Sequence, residues 1–229
     1  MTRALPVLTV LAAIILIWYL AAIGMNAQWA EDQAARAGTE LTTGQLIADT
    51  LSQDRPVLPA PHQVVAGLWD GVFGQAITSK RSLVYHAMVT LSATMAGFAI
   101  GSLAGILLAV GIVHDRTMDQ SVMPWAVARQ TVPILAIAPM VIVVLASMGV
   151  TGLLPKALIS AWLSFFPVLV GMVKGLRAPD AMQMDLMRSW NASPGQVLRH
   201  LRLPVSLPYL FASLKVAVAA SLVGTIIGE

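Results

Sequence analysis

Long apolar runs alternate with shorter polar segments along most of the chain, a pattern typical of a bundle of membrane-spanning helices. A helix needs about 20 predominantly apolar residues to cross a bilayer. Five runs approach that length, at residues 5–25, 88–113, 132–150, 157–173 and 207–227. The pattern therefore predicts an all-α, polytopic helical membrane protein with five transmembrane helices in this chain.

The first apolar run follows Arg3 and has two interpretations. A secretory signal peptide also begins with a basic residue, but its apolar core is only about 7–15 residues long. The run here is longer, and Trp18, Tyr19 and Trp29 lie toward its far end, as interfacial aromatic residues do. We interpret residues 1–25 as a retained first transmembrane helix.

A polar connector, residues 26–85, separates this helix from the other spans. Its pattern predicts amphipathic helical pieces at residues 30–51 and 63–75. Pro56, Pro59 and Pro61 predict an extended stretch between the two pieces. Residues 86–229 then form the apolar core domain.

Small and aromatic residues inside the spans carry weaker signals. Gly97, Gly101 and Gly105 recur every four residues, which favours close helix packing. Prolines and aromatic residues in the third and fourth spans mark possible positions along a substrate pathway, although a helix kink and ordinary core packing explain them more simply. These pathway candidates are Gln130, Thr131, Pro133, Trp162, Ser164 and Phe165.

Composition narrows the possible functions. The chain is 57% hydrophobic and 11% charged, it has no cysteine, and its net charge of +3 is scattered between apolar runs, unlike a nucleic-acid-binding surface. It lacks a phosphate-binding Gly-x-x-x-x-Gly-Lys-Ser/Thr loop and the common hydrolase and zinc-protease motifs. We therefore predict no catalytic residue, no metal site and no cofactor in this chain.

The most informative segment is a polar, basic stretch at residues 182–208. Its first part predicts a helix with Met184, Met187 and Trp190 on one face, and Asn191 interrupts the pattern. Its second part predicts an amphipathic helix, after which Pro204 ends one element and begins the next. On these residues alone, a helix held at the membrane surface and a protein-docking element remain equally good interpretations.

The spacing of this segment resembles the coupling loop of permease subunits in binding-protein-dependent ABC importers. That family has Glu-Ala-Ala, three residues, Gly, nine residues, Ile, one residue and Leu-Pro. Asp185 stands at the acidic position, Asn191 at the glycine, Leu201 at the isoleucine, and Leu203-Pro204 closes the motif. Asn tolerates the left-handed backbone that glycine provides at a helix end.

The resemblance implies a fold and a set of partners. It implies a sixth helix beyond residue 229, so we expect this chain to be a fragment, with a cytoplasmic coupling loop at about residues 177–206. Partners would be cytoplasmic ABC ATPase subunits that bind ATP and Mg, a second permease copy (a homodimer), a periplasmic or lipid-anchored substrate-binding protein, and membrane lipids, with no nucleic acid.

The same resemblance implies roles for individual residues of the loop. Asp185 would stabilise the first loop helix through its dipole. Met187, Trp190, Ala192 and Ser193 would face the ATPase. Leu201, Leu203 and Pro204 would fix the loop onto the next span.

Charge near the helix ends predicts the orientation. If Arg3 is cytoplasmic and the spans alternate, the basic loop is also cytoplasmic and the acid-rich residues 26–83 lie outside. The resemblance implies the same topology and a multi-pass location in a bacterial inner membrane.

Residues 186–189 and 210–216 resemble the branch that imports nitrate, sulfonate, taurine and vitamin precursors. The expected substrate is therefore a small anion or a heterocyclic vitamin precursor of the pyrimidine or riboflavin type.

Two other classes of protein remain open. One is an ion-gradient-driven secondary transporter or channel subunit, for which Lys215 and Arg129 are the only intramembrane ionisable candidates. The other is a membrane scaffold protein.

Overall fold

A computed structural model describes residues 4–38, 42–128 and 131–229, and every regular element in these ranges is a helix. The elements are α1 (Ala4–Ala37), α2 (Thr43–Ser52), α3 (Pro61–Trp69), α4 (Leu83–His114), α5 (Arg116–Ala128), α6 (Ile134–Ser147), α7 (Leu153–Leu176), α8 (Ala181–Ser189), α9 (Pro194–Val197) and α10 (Leu203–Ile227). Wider π-helical turns follow α3 at Asp70–Gly74 and join α9 to α10 at Leu198–Arg202. The chain divides into two compact units, Met1–Tyr85 and His86–Glu229.

The all-α, polytopic fold is confirmed. Within the described ranges, four helical stretches are long and apolar enough to cross a membrane: Leu5–Arg36, Leu83–His114, Leu153–Leu176 and Pro194–Ile227. The predicted third span corresponds to α6, which is apolar but only 14 residues long. Pro133 precedes its first turn and Met148 ends it, so the helix is shorter than the apolar run.

In the first unit, α1 extends well beyond the predicted span. Residues 26–37 are rich in Ala, Gln, Glu and Arg, which are good helix formers, so the helix does not end where the apolar run ends. The helical piece predicted at residues 30–51 is therefore wrong in its bounds. Its first part belongs to α1, and its second part forms the separate helix α2.

Asn26 holds the connector onto α1. Its side chain is fully buried, and its Oδ1 accepts hydrogen bonds from the backbone N–H groups of Val57 (2.9 Å) and Leu58 (3.2 Å). Its Nδ2 donates to the carbonyls of Leu58 (2.9 Å) and Thr50 (3.4 Å). One side chain thereby provides hydrogen-bond partners for backbone groups of Thr50, Val57 and Leu58.

In the second unit, α4 packs directly against α7 through its glycines. A Cβ atom placed on Gly101 would lie 2.6 Å from the Ala161 carbonyl, and one on Gly97 would lie 2.6 Å from the Ala157 carbonyl. Gly105 faces Phe165 and Val168 in the same way. The packing role predicted for this glycine stripe is therefore confirmed.

Helix α10 packs on α7 by the same means. A Cβ on Gly224 would lie 2.8 Å from the Cα of Ser160, and one on Gly175 would lie 2.9 Å from the Cα of Ser206. A buried hydrogen bond of 3.0 Å between the hydroxyls of Thr94 and Thr225 adds a polar link between α4 and α10. Small residues thus bring three helix backbones into near contact.

At the Glu229 end of this bundle, one carboxylate links the three helices. Glu229 Oε1 accepts a hydrogen bond from Thr90 (2.8 Å) and pairs with the Lys156 ammonium (3.1 Å). Burial raises the pKa of Glu229, but the hydrogen bonds from Thr90 and Lys156 and the charges of Lys156 and His86 lower it by more. The net pKa is below the usual range, which keeps this carboxylate ionised at neutral pH.

The polar stretch at residues 114–119 is almost entirely helical, because Asp115 Oδ1 accepts from the Thr117 N–H (2.7 Å) and α5 begins immediately at Arg116. The element boundary predicted at Pro204 is wrong. Pro204 does not end an element, because helix continues from Pro194 to Ile227. The π-helical turn before Pro204 widens the backbone, and the Leu203 N–H bonds to the Leu198 carbonyl, so the ring is accommodated at the first turn of α10.

We expect Gly101→Ala to destabilise the second unit, because the added methyl group meets the backbone of α7. Overpacking of this kind costs about 1–3 kcal/mol, and the melting temperature of the purified protein in detergent measures it. Gly67→Ala is the matched control, since its Cβ would meet nothing within 4 Å. Equal melting temperatures for the two variants would contradict the packing interpretation.

We expect Asn26→Leu to loosen the connector, because each buried backbone group left without a partner costs about 1–3 kcal/mol. Hydrogen exchange at the amides of Val57 and Leu58 should become faster. Gln28→Leu, at an exposed position on the same helix, serves as the control. Unchanged protection of both amides in Asn26→Leu would show that Asn26 does not hold the connector.

Candidate functional site

The coupling-loop segment begins at a helix cap that the sequence analysis missed. The Asp180 carboxylate accepts from the Gln183 N–H (2.7 Å), and Gln183 Oε1 accepts from the Asp180 N–H (3.3 Å). This reciprocal pair is a capping box, and the spacing Asp-x-x-Gln was its signal in the sequence. Asp180, rather than Asp185, therefore supplies the negative charge at the N-terminus of α8. Asp185 instead forms an exposed ion pair with Arg188 (2.9 Å).

Helix α8 ends at Ser189, and the predicted break at Asn191 follows directly after its C-cap residue, Trp190. Asn191 has φ of 50°, the only positive φ among the described non-glycine residues. The Ala192 N–H bonds to the Met187 carbonyl (3.0 Å), and the Asn191 N–H bonds to the Arg188 carbonyl (2.9 Å). These two bonds form a Schellman motif, which turns the chain sharply and satisfies carbonyls of the last helical turn.

Ser193 begins the next helix. Its hydroxyl accepts from the Gln196 N–H (3.4 Å), and its own N–H donates to Gln196 Oε1 (2.8 Å), with Pro194 at the first helical position. The sequence Ser-Pro-x-Gln was the signal for this cap. Ser193 thus fixes the start of α9, which continues through the π-helical turn into α10.

The exposed apolar side of α8 differs from the predicted one. Met182, Leu186 and Trp190 recur every four residues and are 82%, 50% and 70% exposed. Met184, Met187 and Ala192 are half-buried instead. Of the residues expected to face a partner, Trp190 projects freely, whereas Met187 and Ala192 are turned partly toward the protein. We call Met182, Leu186 and Trp190 the α8 face.

The segment is fixed to the bundle by a hydrophobic cluster. Ile112, Leu169, Met172 and Leu176 are buried members of that cluster, and Leu203 packs against it. Leu198 packs there as well, although the sequence analysis did not select it. Leu201 is half-buried and Pro204 is exposed.

Polar contacts complete this attachment. The Arg202 guanidinium donates to the Val113 carbonyl at the end of α4 (3.5 Å). Arg177, which follows α7, pairs with Asp119 on α5 (2.8 Å). The loop is therefore joined to the ends of α4, α5 and α7, so its position depends on all three helices.

A basic cavity of about 270 Å³ lies between the loop and the end of α4. Its lining residues are Val113, His114, Met184, Arg188, Ala192, Pro194, Val197 and Arg202. Of the predicted loop residues, Ala192 is the one that lines this cavity.

The pathway candidates are distributed over two apolar cavities and a helix interface. Trp162 lines both a cavity of about 400 Å³ that includes Pro133 and one of about 310 Å³ that includes Phe165. Pro133 and Phe165 therefore line two different cavities, and Trp162 lines both of them.

The other three pathway candidates are placed differently. Ser164 is fully buried in the α4–α7 interface, where it donates to backbone carbonyls including that of Ser160 (3.1 Å), and it lines neither cavity. The Thr131 hydroxyl donates to the Ala128 carbonyl (2.7 Å). Gln130 lies outside the described residues.

Comparison with known proteins places this arrangement in a family. Residues 101–229 match the family model described as binding-protein-dependent transport system inner membrane component. The matched region includes α7, the loop and α10, and it makes up more than half of the chain.

Three curated relatives are permease proteins of different transport systems. A riboflavin transport system permease of Chloroflexus aurantiacus is 30% identical over 76% of this chain and 61% of its own length. A formylaminopyrimidine transport permease of Halalkalibacterium halodurans is 28% identical over 76% of this chain and 65% of its own length. A nitrate import permease of Synechococcus elongatus is 24% identical over 82% of this chain and 67% of its own length.

The matches therefore span about three fifths to two thirds of the length of these relatives. The family description and the apolar helices together identify a multi-pass protein of a bacterial inner membrane. The chain belongs to the family of binding-protein-dependent transport system inner membrane components.

Proposed function

We propose that this chain is a transmembrane permease subunit of an ABC importer, which forms the substrate pathway and couples it to a cytoplasmic ATPase by alternating access. The α8 face is the observation that carries this proposal. Three large apolar side chains project from a short, doubly capped helix, which is the form of a docking element that inserts into a cleft on a partner.

The loop is suited to transmit motion because it is rigid at both joints. Asn191 turns the chain through two backbone hydrogen bonds, and α9 runs without interruption into α10. A displacement of α8 would therefore move α10 with it. Through Leu203 and Arg202 it would also act on the ends of α7 and α4.

ATP and Mg would be bound by partner ATPase subunits, one docked to each of two permease copies. Closure of the ATPases on ATP would push the two loops together and open the pathway toward a loaded periplasmic or lipid-anchored binding protein. Hydrolysis would return the pathway to the inward-facing state. In this scheme the chain contributes positioning and mechanical coupling, and it does no covalent chemistry.

The substrate belongs to one of two classes. The named relatives transport riboflavin, formylaminopyrimidine and nitrate, which include neutral heterocycles and a small anion. The apolar cavities around Trp162 suit a flat ring, whereas the only charge within α10 suits an anion. A binding protein would make the finer selection among such solutes.

Affinity purification of the tagged protein from mild detergent tests the docking proposal. We expect an ATPase with a nucleotide-binding loop to co-purify, and its recovery should fall by about tenfold or more in Trp190→Ser, since large aromatic anchors dominate docking energies. Trp69→Ser is the control, because Trp69 is 68% exposed against 70% for Trp190 but lies on α3. Recovery of the protein without an ATPase, or equal loss in both variants, would contradict the proposal.

Asn191→Val tests the coupling. A β-branched residue in the left-handed region costs about 1–2 kcal/mol, so the end of α8 should lose its defined turn. In proteoliposomes containing the ATPase and the binding protein, stimulation of ATP hydrolysis by the binding protein should fall several-fold, while membrane insertion is unchanged.

Asn191→Gly is the matched control for this experiment. Glycine adopts the same backbone without strain, so stimulation should remain at the level of the unmodified protein. Full stimulation in Asn191→Val would separate the turn from the coupling and overturn this role for Asn191.

A further inference from the structure

Lys215 is a charged residue at the middle of a membrane-spanning helix. It is the only side chain in α10 that is charged at neutral pH, and it lies twelve residues from each end of that helix. At 1.5 Å per residue this places it about 18 Å from either end. A lysine stem of four carbons is too short to bring its ammonium to either surface of a hydrocarbon layer about 30 Å thick.

The side chain points away from the rest of the second unit. Ser206 and Gly224 pack against α7, and each lies about two and a half turns from Lys215 along the helix, on the opposite side. Lys215 is exposed, as are Ala212 and Ala219 one turn before and after it. Within the described part of this chain, Lys215 therefore lies on the side of α10 that does not pack against α7.

Among the described residues, no carboxylate forms an ion pair with this ammonium. The helices α4, α6, α7 and α10 contain no Asp or Glu. The ion pairs of the described chain are Lys156–Glu229, Arg177–Asp119 and Arg188–Asp185, and none involves Lys215. A second copy of these helices would add another lysine and no acid.

We infer that the exposed side of α10 around Lys215 lines the water-filled substrate pathway, and that Lys215 attracts an anionic group of the transported solute. This inference rests on the proposed permease function and narrows its substrate class to anions. A lone cation facing lipid at this depth would be strongly disfavoured, whereas in a hydrated pathway it raises the local concentration of anions. The neighbouring alanines leave space beside the ammonium for such a group.

Charge-selective thiol labelling tests this inference without knowledge of the solute. The chain has no cysteine, so Ala219→Cys introduces a single thiol one turn from Lys215. In vesicles that contain the complex with its ATPase and admit reagents to both faces, this thiol is treated with anionic sulfonatoethyl or cationic trimethylammonioethyl methanethiosulfonate. Each rate is divided by the rate of the same reagent with a free thiol in water.

We expect the anionic reagent to be favoured over the cationic one by about tenfold. The preference should disappear when Lys215→Met is added and should persist with Lys215→Arg. Leu103→Cys, on the exposed uncharged side of α4, should react with neither reagent. Ala212→Cys provides a second position if Ala219→Cys does not assemble.

Two results would overturn the inference. An Ala219→Cys thiol that reacts with neither reagent would place this side of α10 against lipid or a dry interface. A charge preference that survives Lys215→Met would show that another group attracts the anion. Neither result bears on ATPase docking, which the co-purification experiment decides separately.

Discussion

Near contact between the backbones of α4, α7 and α10 is the constraint on which the rest of the second unit depends. In a membrane the hydrophobic effect does not drive apolar helices together, so association relies on close packing and on interhelical hydrogen bonds. Gly101 and Gly224 provide the packing, because a single methyl group at either position would meet the α7 backbone. The Thr94–Thr225 hydrogen bond provides a polar link in the same interface.

This packing determines the direction in which Lys215 points and the position of the loop. Because α10 lies against α7 along one side, its opposite side carries Lys215 outward, and its N-terminal extension carries the loop beyond the bundle. The π-helical turn at Leu198–Arg202 allows Pro204 within a continuous helix, so the helix runs unbroken from Pro194 into the span.

The sequence located the loop but did not decide which side of its first helix is exposed. Asn191 was identifiable because few residue types adopt a left-handed backbone at a helix end. Asp180 and Ser193 were identifiable in principle, since each begins a spacing of a capping residue and a glutamine three positions later. The α8 face was not decided by periodicity, because two methionine-containing stripes, through Met182 and through Met184, both end at Trp190.

The sequence by itself determined the helical class, the positions of the apolar spans and the break at Asn191, because hydropathy over about 20 residues and backbone strain are local properties. Only the tertiary structure decided which stripe of α8 is exposed, that Ser164 is buried and that Lys215 faces outward. Those outcomes depend on which side of each helix meets α7, and that choice is made by contacts between residues far apart in the chain.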